Sequence, residues 1–286
     1  MEDRIKVAVI GTGALGKEHA RLYADMHREG LIECVGVYDQ NPETAHRVAQ
    51  QHGLSGLASM EETLERSDAL SIVTPTVTHF DIAQRLLRAG KHVLVEKPMT
   101  DDATQAAELV RLANQHGCVL QVGHVERFNP VFAYLQQAAR EPKFIETHRL
   151  SPFPARSTDV GVVLDLMIHD LDVVLAFVRS PVAQVDASGV SVLSSSEDIA
   201  NARIRFENGC VANLTVSRIS PESIPALARS PSSCCLANVN ARRIPAVLSS
   251  DSCRSRICLE SSMDGQTAVR SIISRSACPQ RRFRRC

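Results

Sequence analysis

The run Lys6-Val-Ala-Val-Ile-Gly11-Thr12-Gly13-Ala14-Leu15-Gly16 constrains this chain more than any other feature. A short β-branched stretch ends in glycines spaced G-x-G-x-x-G, and a helical pattern follows at once. Each glycine answers a separate steric demand. Gly11 permits the tight turn, Gly13 lets main chain approach a ligand, and Gly16 lets the helix pack on the strand. The helix then aims free N–H groups and its positive dipole end at one spot, which suits the pyrophosphate of a dinucleotide. Gly11, Thr12, Gly13, Ala14, Leu15 and Gly16 are therefore expected to hold such a cofactor.

The next strand ends at Asp39, roughly twenty residues past the last glycine, where the fingerprint places an acid on the adenosine ribose. An acid there repels a 2′-phosphate, so NAD is favoured and NADP is less suited. Asp39 also suits a turn with Asn41-Pro42.

Around this motif, residues 4–122 alternate short strands with amphipathic helices. The strands are Ile5–Ile10, Ile32–Tyr38, Ala69–Thr74, His92–Glu96 and Val119–Val122. That alternation predicts an α/β fold whose N-terminal domain (residues 1–122) is a Rossmann doubly wound parallel sheet. Residues 123–222 read as an α+β substrate and oligomerisation domain, partial, with a mostly antiparallel sheet. It comprises a helix at Pro130–Ala139, a strand at Lys143–Leu150, a helix at Val162–Val178, and strands at Ala200–Phe206 and Val211–Ile219. The last two flank a hairpin turn at Glu207-Asn208-Gly209.

Residues 223–286 follow neither pattern. They hold 13 Ser, 11 Arg and six of the nine Cys, with no Lys or His. Their net charge is +8 against −8 for the first 222 residues. No strand or helix period persists there. The segment is expected to be disordered or non-native, as a reading-frame shift near Glu222 would produce. Its cysteines form no CxxC pair and have no histidine nearby, so no metal site is expected. Cys34, Cys118 and Cys210 sit among apolar neighbours and read as buried thiols.

Formal net charge is zero, which gives no argument for nucleic acid or an anionic membrane as partner. No apolar run reaches the ~18 residues of a membrane helix, and Met1–Gly11 lacks the layout of a signal peptide. The chain reads as cytoplasmic.

Two strands end in chemistry at the carboxyl edge of the first sheet. One gives Thr74-Pro75-Thr76-Val77-Thr78-His79, where Thr74, Pro75 and His79 either line the dinucleotide or build a structural turn. The other gives Glu96-Lys97-Pro98. Lysine shifts its pKa readily when buried, unlike arginine, and the chain has five lysines against 27 arginines. Lys97 is a proton-transfer candidate, or else a solvated loop residue. On the later helix, Asp165, His169 and Asp172 fall at i, i+4 and i+7, one polar face among apolar neighbours. Unpartnered buried carboxylates are costly. The face thus belongs to a polar site or a structural network, with Asp165 placed to orient His169.

The glycine motif followed by His19, the TP-x-x-x-H segment, EKP, and D-x-x-x-H-D together resemble the glucose–fructose oxidoreductase / inositol dehydrogenase / rhizopine-catabolism (Gfo/Idh/MocA) family over roughly residues 4–219. The resemblance implies that Lys97, Asp165 and His169 are catalytic, that Glu96 meets the cofactor, and that a sugar hydroxyl carbon gives hydride to NAD. Val122–Pro130 and Pro152–Gly161 look like the subgroup oxidising C3 of UDP-N-acetylglucosamine. That likeness adds His124, Arg127, Asn129 and Arg156 as substrate contacts, and Asp172 on the later helix is expected as another. Either arginine suits a diphosphate or a plain ion pair. A free polyol or inositol substrate, an NAD-binding regulator and an inactive product of a disrupted gene are the alternatives. An intact family member is expected to be a homo-oligomer.

Overall fold

The computed structural model describes residues 4–138, 141–153 and 160–221. Arg156 and the tail at 223–286 lie outside the described residues. Contacts divide the chain into two compact units, one ending at Gly123 and the other beginning at His124.

The first unit runs β1 (Lys6–Ile10), α1 (Gly16–Arg28), β2 (Glu33–Tyr38), α2 (Pro42–His52), α3 (Met60–Arg66), β3 (Ala69–Ile72), α4 (His79–Arg88), β4 (His92–Val95), α5 (Ala103–His116) and β5 (Leu120–Val122). Its strands are all parallel in the order β2-β1-β3-β4-β5. Period-two alternation sends Val7 and Val9 to one face, against Tyr23, Met26 and Val48. Ala8 and Ile10 go to the other, against Leu86, Leu87 and Leu109. Beyond β2 a single parallel bridge, Val37 to Gly56, stands where a doubly wound sheet would carry another strand. Strand order reverses between β1 and β3, and the carboxyl ends at such a reversal form the ligand-binding crevice of open α/β sheets.

The second unit holds α6 (Pro130–Ala138), β6 (Phe144–Leu150), α7 (Ile168–Val178), β7 (Val182–Val190), β8 (Ile199–Phe206) and β9 (Val211–Ser217). The sheet order is β6-β9-β8-β7. Two of the pairings are antiparallel, and β6 runs parallel to β9. Ala200, Ala202, Ile204 and Phe206 face inward onto Val173, Val174, Phe177 and Val178 of α7. Asn201, Arg203 and Arg205 face out. β7 carries no such alternation, since all its residues are exposed. That is why its sequence gives no strand signal.

A polar knot closes this unit. Arg218, wholly buried, donates from Nε to Asp198 Oδ1 (2.8 Å) and from Nη1 to Val160 O (2.9 Å). Its Nη2 reaches the Ser194 and Ser196 hydroxyls at 2.8 and 2.9 Å. Asp198 Oδ2 accepts the main-chain N–H groups of Val192, Leu193 and Ser194. Burial alone would push this carboxyl up, but those donors and Arg218 outweigh it and hold the group far below the usual carboxylate range. The guanidinium also lies 5.8 Å from the centre of the Phe153 ring.

Cys34 and Cys210 are buried free thiols, and Cys118 is half-buried. Burial pushes the Cys34 thiol up to about 11.

Candidate active site

The glycine-rich turn has the shape its spacing predicts. Gly11 sits at φ +94°, and a side chain there would meet Val73 O at 2.4 Å. A Cβ at Gly16 would collide with Gly11 O, whereas one at Gly13 would meet nothing within 4 Å among the described residues. The turn is thus packed hard on its sheet side and open at Gly13, where a phosphate would approach. α1 begins without a side-chain cap. By contrast Asn41, Ser59 and Asp102 cap α2, α3 and α5. The N–H groups of Lys17, Glu18 and His19 already bond to Gly13 O and Leu15 O, so an anion would be met by the main chain of the turn that leads into α1 and by the positive end of the helix. The residues present fit a dinucleotide.

Asp39 lies beside this turn. Its Oδ2 accepts the Thr12 N–H (2.7 Å) and the Thr12 hydroxyl (2.9 Å), and its Oδ1 accepts the Asn41 N–H (2.9 Å). Burial raises the carboxyl, but the N–H groups of Asn41 and Thr12 outweigh it and hold it below its ordinary value. Asp39 is anionic at neutral pH, a charge that would repel a 2′-phosphate placed beside it. We expect NAD to bind more tightly than NADP, and Asp39→Ala to narrow the gap. Titration of the parent protein showing NADP preferred would overturn this.

At the end of β3, Thr74 Oγ1 accepts from Thr78, and Pro75 opens a 3-10 turn at Thr76–Thr78. His79 is buried, with Nδ1 2.9 Å from Pro98 O and Nε2 2.8 Å from Thr74 O. Its ring thus ties the loop after β3 to the loop after β4. Glu96 and Lys97 follow β4 directly, and the Lys97–Pro98 peptide is cis.

In the second unit, Asp165 and His169 do not share one regular helix. Val163–Met167 is a π-helical turn, with Ile168 N–H bonded to Val163 O five residues back, and α7 starts after it. The i, i+4, i+7 face expected for Asp165, His169 and Asp172 is therefore re-aimed at its start, because the wider turn shifts Asp165 relative to the rest. Such turns occur frequently at functional sites. Glu197 braces this start. Its main-chain carbonyl accepts the Val162 N–H and its carboxylate accepts the Val163 N–H.

Arg127 and Asp172, expected as separate substrate contacts, bond to each other. Arg127 donates from Nε and Nη2 to Asp172 at 2.7 and 2.6 Å. Asn129 Oδ1 accepts the Val131 N–H at the start of α6, so this side chain is a helix brace. His124 opens the 3-10 turn Val125–Phe128. Sequence reasoning passed over Arg149, which donates to Asp170 from Nε and Nη2 and lies 3.6 Å from Glu126. Burial pushes the Asp170 carboxyl up against the pull of Arg149. The available signal was Asp170 itself, an acid beside His169 that falls off the face shared by Asp165, His169 and Asp172.

Among the described residues no helix is long and apolar enough to cross a membrane, and no His/Cys/Asp/Glu cluster could hold a metal ion.

Comparison with known proteins agrees with these features. Residues 5–124 match the model described as oxidoreductase family, NAD-binding Rossmann fold, and residues 135–227 match the GFO/IDH/MocA C-terminal domain. A UDP-N-acetylglucosamine 3-dehydrogenase of Acidithiobacillus ferrooxidans is 41% identical over 219 residues, covering 76% of this chain and 68% of that protein. A scyllo-inositol 2-dehydrogenase (NAD(+)) of Bacillus subtilis is 28% identical over 240 residues, covering 77% and 69%. Among solved structures, UDP-N-acetylglucosamine 3-dehydrogenase GnnA from A. ferrooxidans matches with TM-score 0.72 at 40% identity, over 77% of this chain and 72% of that one. GenD2 from gentamicin A biosynthesis, solved with NAD, shares the fold with TM-score 0.71 at 23% identity, over 78% and 68%.

Proposed function

Because the chain belongs to the GFO/IDH/MocA family of NAD-binding oxidoreductases, we propose that it oxidises a sugar hydroxyl to a ketone, acting on C3 of UDP-N-acetylglucosamine. The observation that carries this reading is the likeness to the A. ferrooxidans enzyme, which is well above that to the inositol dehydrogenases. When bound, the nicotinamide supplies the hydride acceptor.

The chain's own groups account for the rest. The turn at Gly11–Gly16 grips the pyrophosphate, and Asp39 takes the ribose hydroxyls. The Lys97 ammonium donates to the C3 hydroxyl oxygen and polarises it. A His169 ring nitrogen takes the hydroxyl proton as the C3 hydrogen leaves as hydride, and Asp165 orients that imidazole. One C–H and one O–H bond break and a carbonyl forms, so the substrate loses a hydride and a proton. The Arg127–Asp172 pair offers its remaining N–H groups to the diphosphate. The family's two domain models also support residues 1–122 as the cofactor domain and 123–222 as the substrate domain.

The test is NADH formation with a panel of UDP-sugars, inositol and glucose. Absorbance gives the rate, and mass spectrometry identifies the 3-keto product. UDP-N-acetylglucosamine is expected to react best. A protein that oxidises inositol or glucose and ignores every UDP-sugar would overturn the substrate.

A further inference from the structure

We propose that His19 is a positioning residue that ties the dinucleotide-binding helix to Lys97 through Glu96. This rests on the proposed role of Lys97 in polarising the substrate hydroxyl. His19 lies three residues past Gly16, on the first turn of α1. Its Nε2 is 3.1 Å from Glu96 Oε1, and both side chains are about nine-tenths buried, at 11% and 10% exposure. A carboxylate only accepts, so Nε2 carries the hydrogen. Among the described residues His19 Nδ1 is buried without a hydrogen-bond partner. In this tautomer it is a lone pair, so no N–H is stranded. Among the described residues the ring is thus aimed at Glu96 alone.

Glu96 in turn holds Lys97. Its Oε2 accepts the Lys97 main-chain N–H at 3.2 Å. Behind it, Gly123 clears the space, since a Cβ there would lie 2.5 Å from Glu96 Oε1 and 2.8 Å from the carboxyl carbon. Gly123 is itself fixed by its N–H bond to Val95 O at 2.8 Å. α1, the end of β4 and the end of β5 therefore converge on one carboxylate. The main chain from which the Lys97 side chain departs is set by the same helix that receives the cofactor's phosphates. Such restraint matters because an error of about 1 Å at a reacting group can cost ~10²-fold in rate.

The test compares His19→Phe, His19→Gln and Gly123→Ala in the full chain. The first readout needs no turnover. After reductive methylation with carbon-13, the Lys97 resonance is followed among the chain's five lysines. It is expected to shift in His19→Phe and Gly123→Ala, and to stay near the parent position in His19→Gln, whose amide can still donate to Glu96. The second readout is kinetic. His19→Phe should lower kcat on the order of 10²-fold, with KM and NAD affinity nearly unchanged, and His19→Gln should recover most of it. An unmoved Lys97 resonance in His19→Phe would overturn the proposal. So would parallel loss of kcat, NAD affinity and melting temperature in His19→Phe and His19→Gln alike. If the parent oxidises no sugar, the substrate assignment fails, and the Lys97 resonance still decides the role of His19.

Discussion

Replacing Lys97 by Met, or His169 by Ala, is expected to lower turnover about 10²–10⁴-fold, the usual cost of losing a general acid or base, while NAD affinity stays nearly unchanged. Methionine keeps the length and apolar stem of lysine and removes only the charge and its donors. The turn at Gly11–Gly16 and Asp39, proposed to hold NAD, belong to other segments of the chain. A loss in kcat with little change in NAD titration separates a chemical role from a binding one. Near-normal turnover in both variants would mean that other groups move the proton.

The second large effect concerns stability. Asp198→Ala is expected to lower the melting temperature by roughly 10 °C or more, from the cost of leaving one member of a buried ion pair alone. Arg218 is wholly buried and cannot shed its proton. Without Asp198 its Nε loses an acceptor, as do the N–H groups of Val192, Leu193 and Ser194. Asp198→Asn should recover little, because its NH₂ would face these donors. The pH dependence has a definite sign. The folded carboxyl lies far below its unfolded value, so its stabilisation is full above the ordinary carboxylate range, begins to fade as pH drops into that range, and is lost as pH falls on toward the folded value. The variant should therefore lose less stability than the parent on acidification. Thermal melts across acidic pH check both points, and a variant melting with the parent would refute them.

The two halves of the fold were unequally legible in the sequence. β1 to β4 of the first unit are largely buried on both faces and flanked by turns, and β1 to β5 stand where their apolar runs predict, with ends differing by a residue or two. β8 and β9 were legible because Asn208-Gly209 and strict alternation mark a hairpin. β7 was not, since an edge strand exposed throughout has no hydrophobic period to read. Nor was the parallel pairing of β6 with β9, which depends on contacts between strands far apart in sequence. At the candidate site, motif residues could be listed, but pairings could not. Arg127 with Asp172 joins side chains 45 residues apart, and His19 with Glu96 joins side chains 77 apart. The π turn at Val163–Met167 was also hidden, because its residues are as apolar as those of an ordinary helix.

The uncapped start of α1 carries a thermodynamic consequence. An anion that seats there binds the native chain and not the unfolded one, so the unfolding equilibrium shifts by RT ln(1 + [L]/Kd). The melting temperature of the first unit then becomes a function of ligand concentration. A thermal-shift screen over dinucleotides and their fragments would rank pyrophosphate, adenosine and nicotinamide moieties by their separate contributions to binding, without requiring a single catalytic turnover.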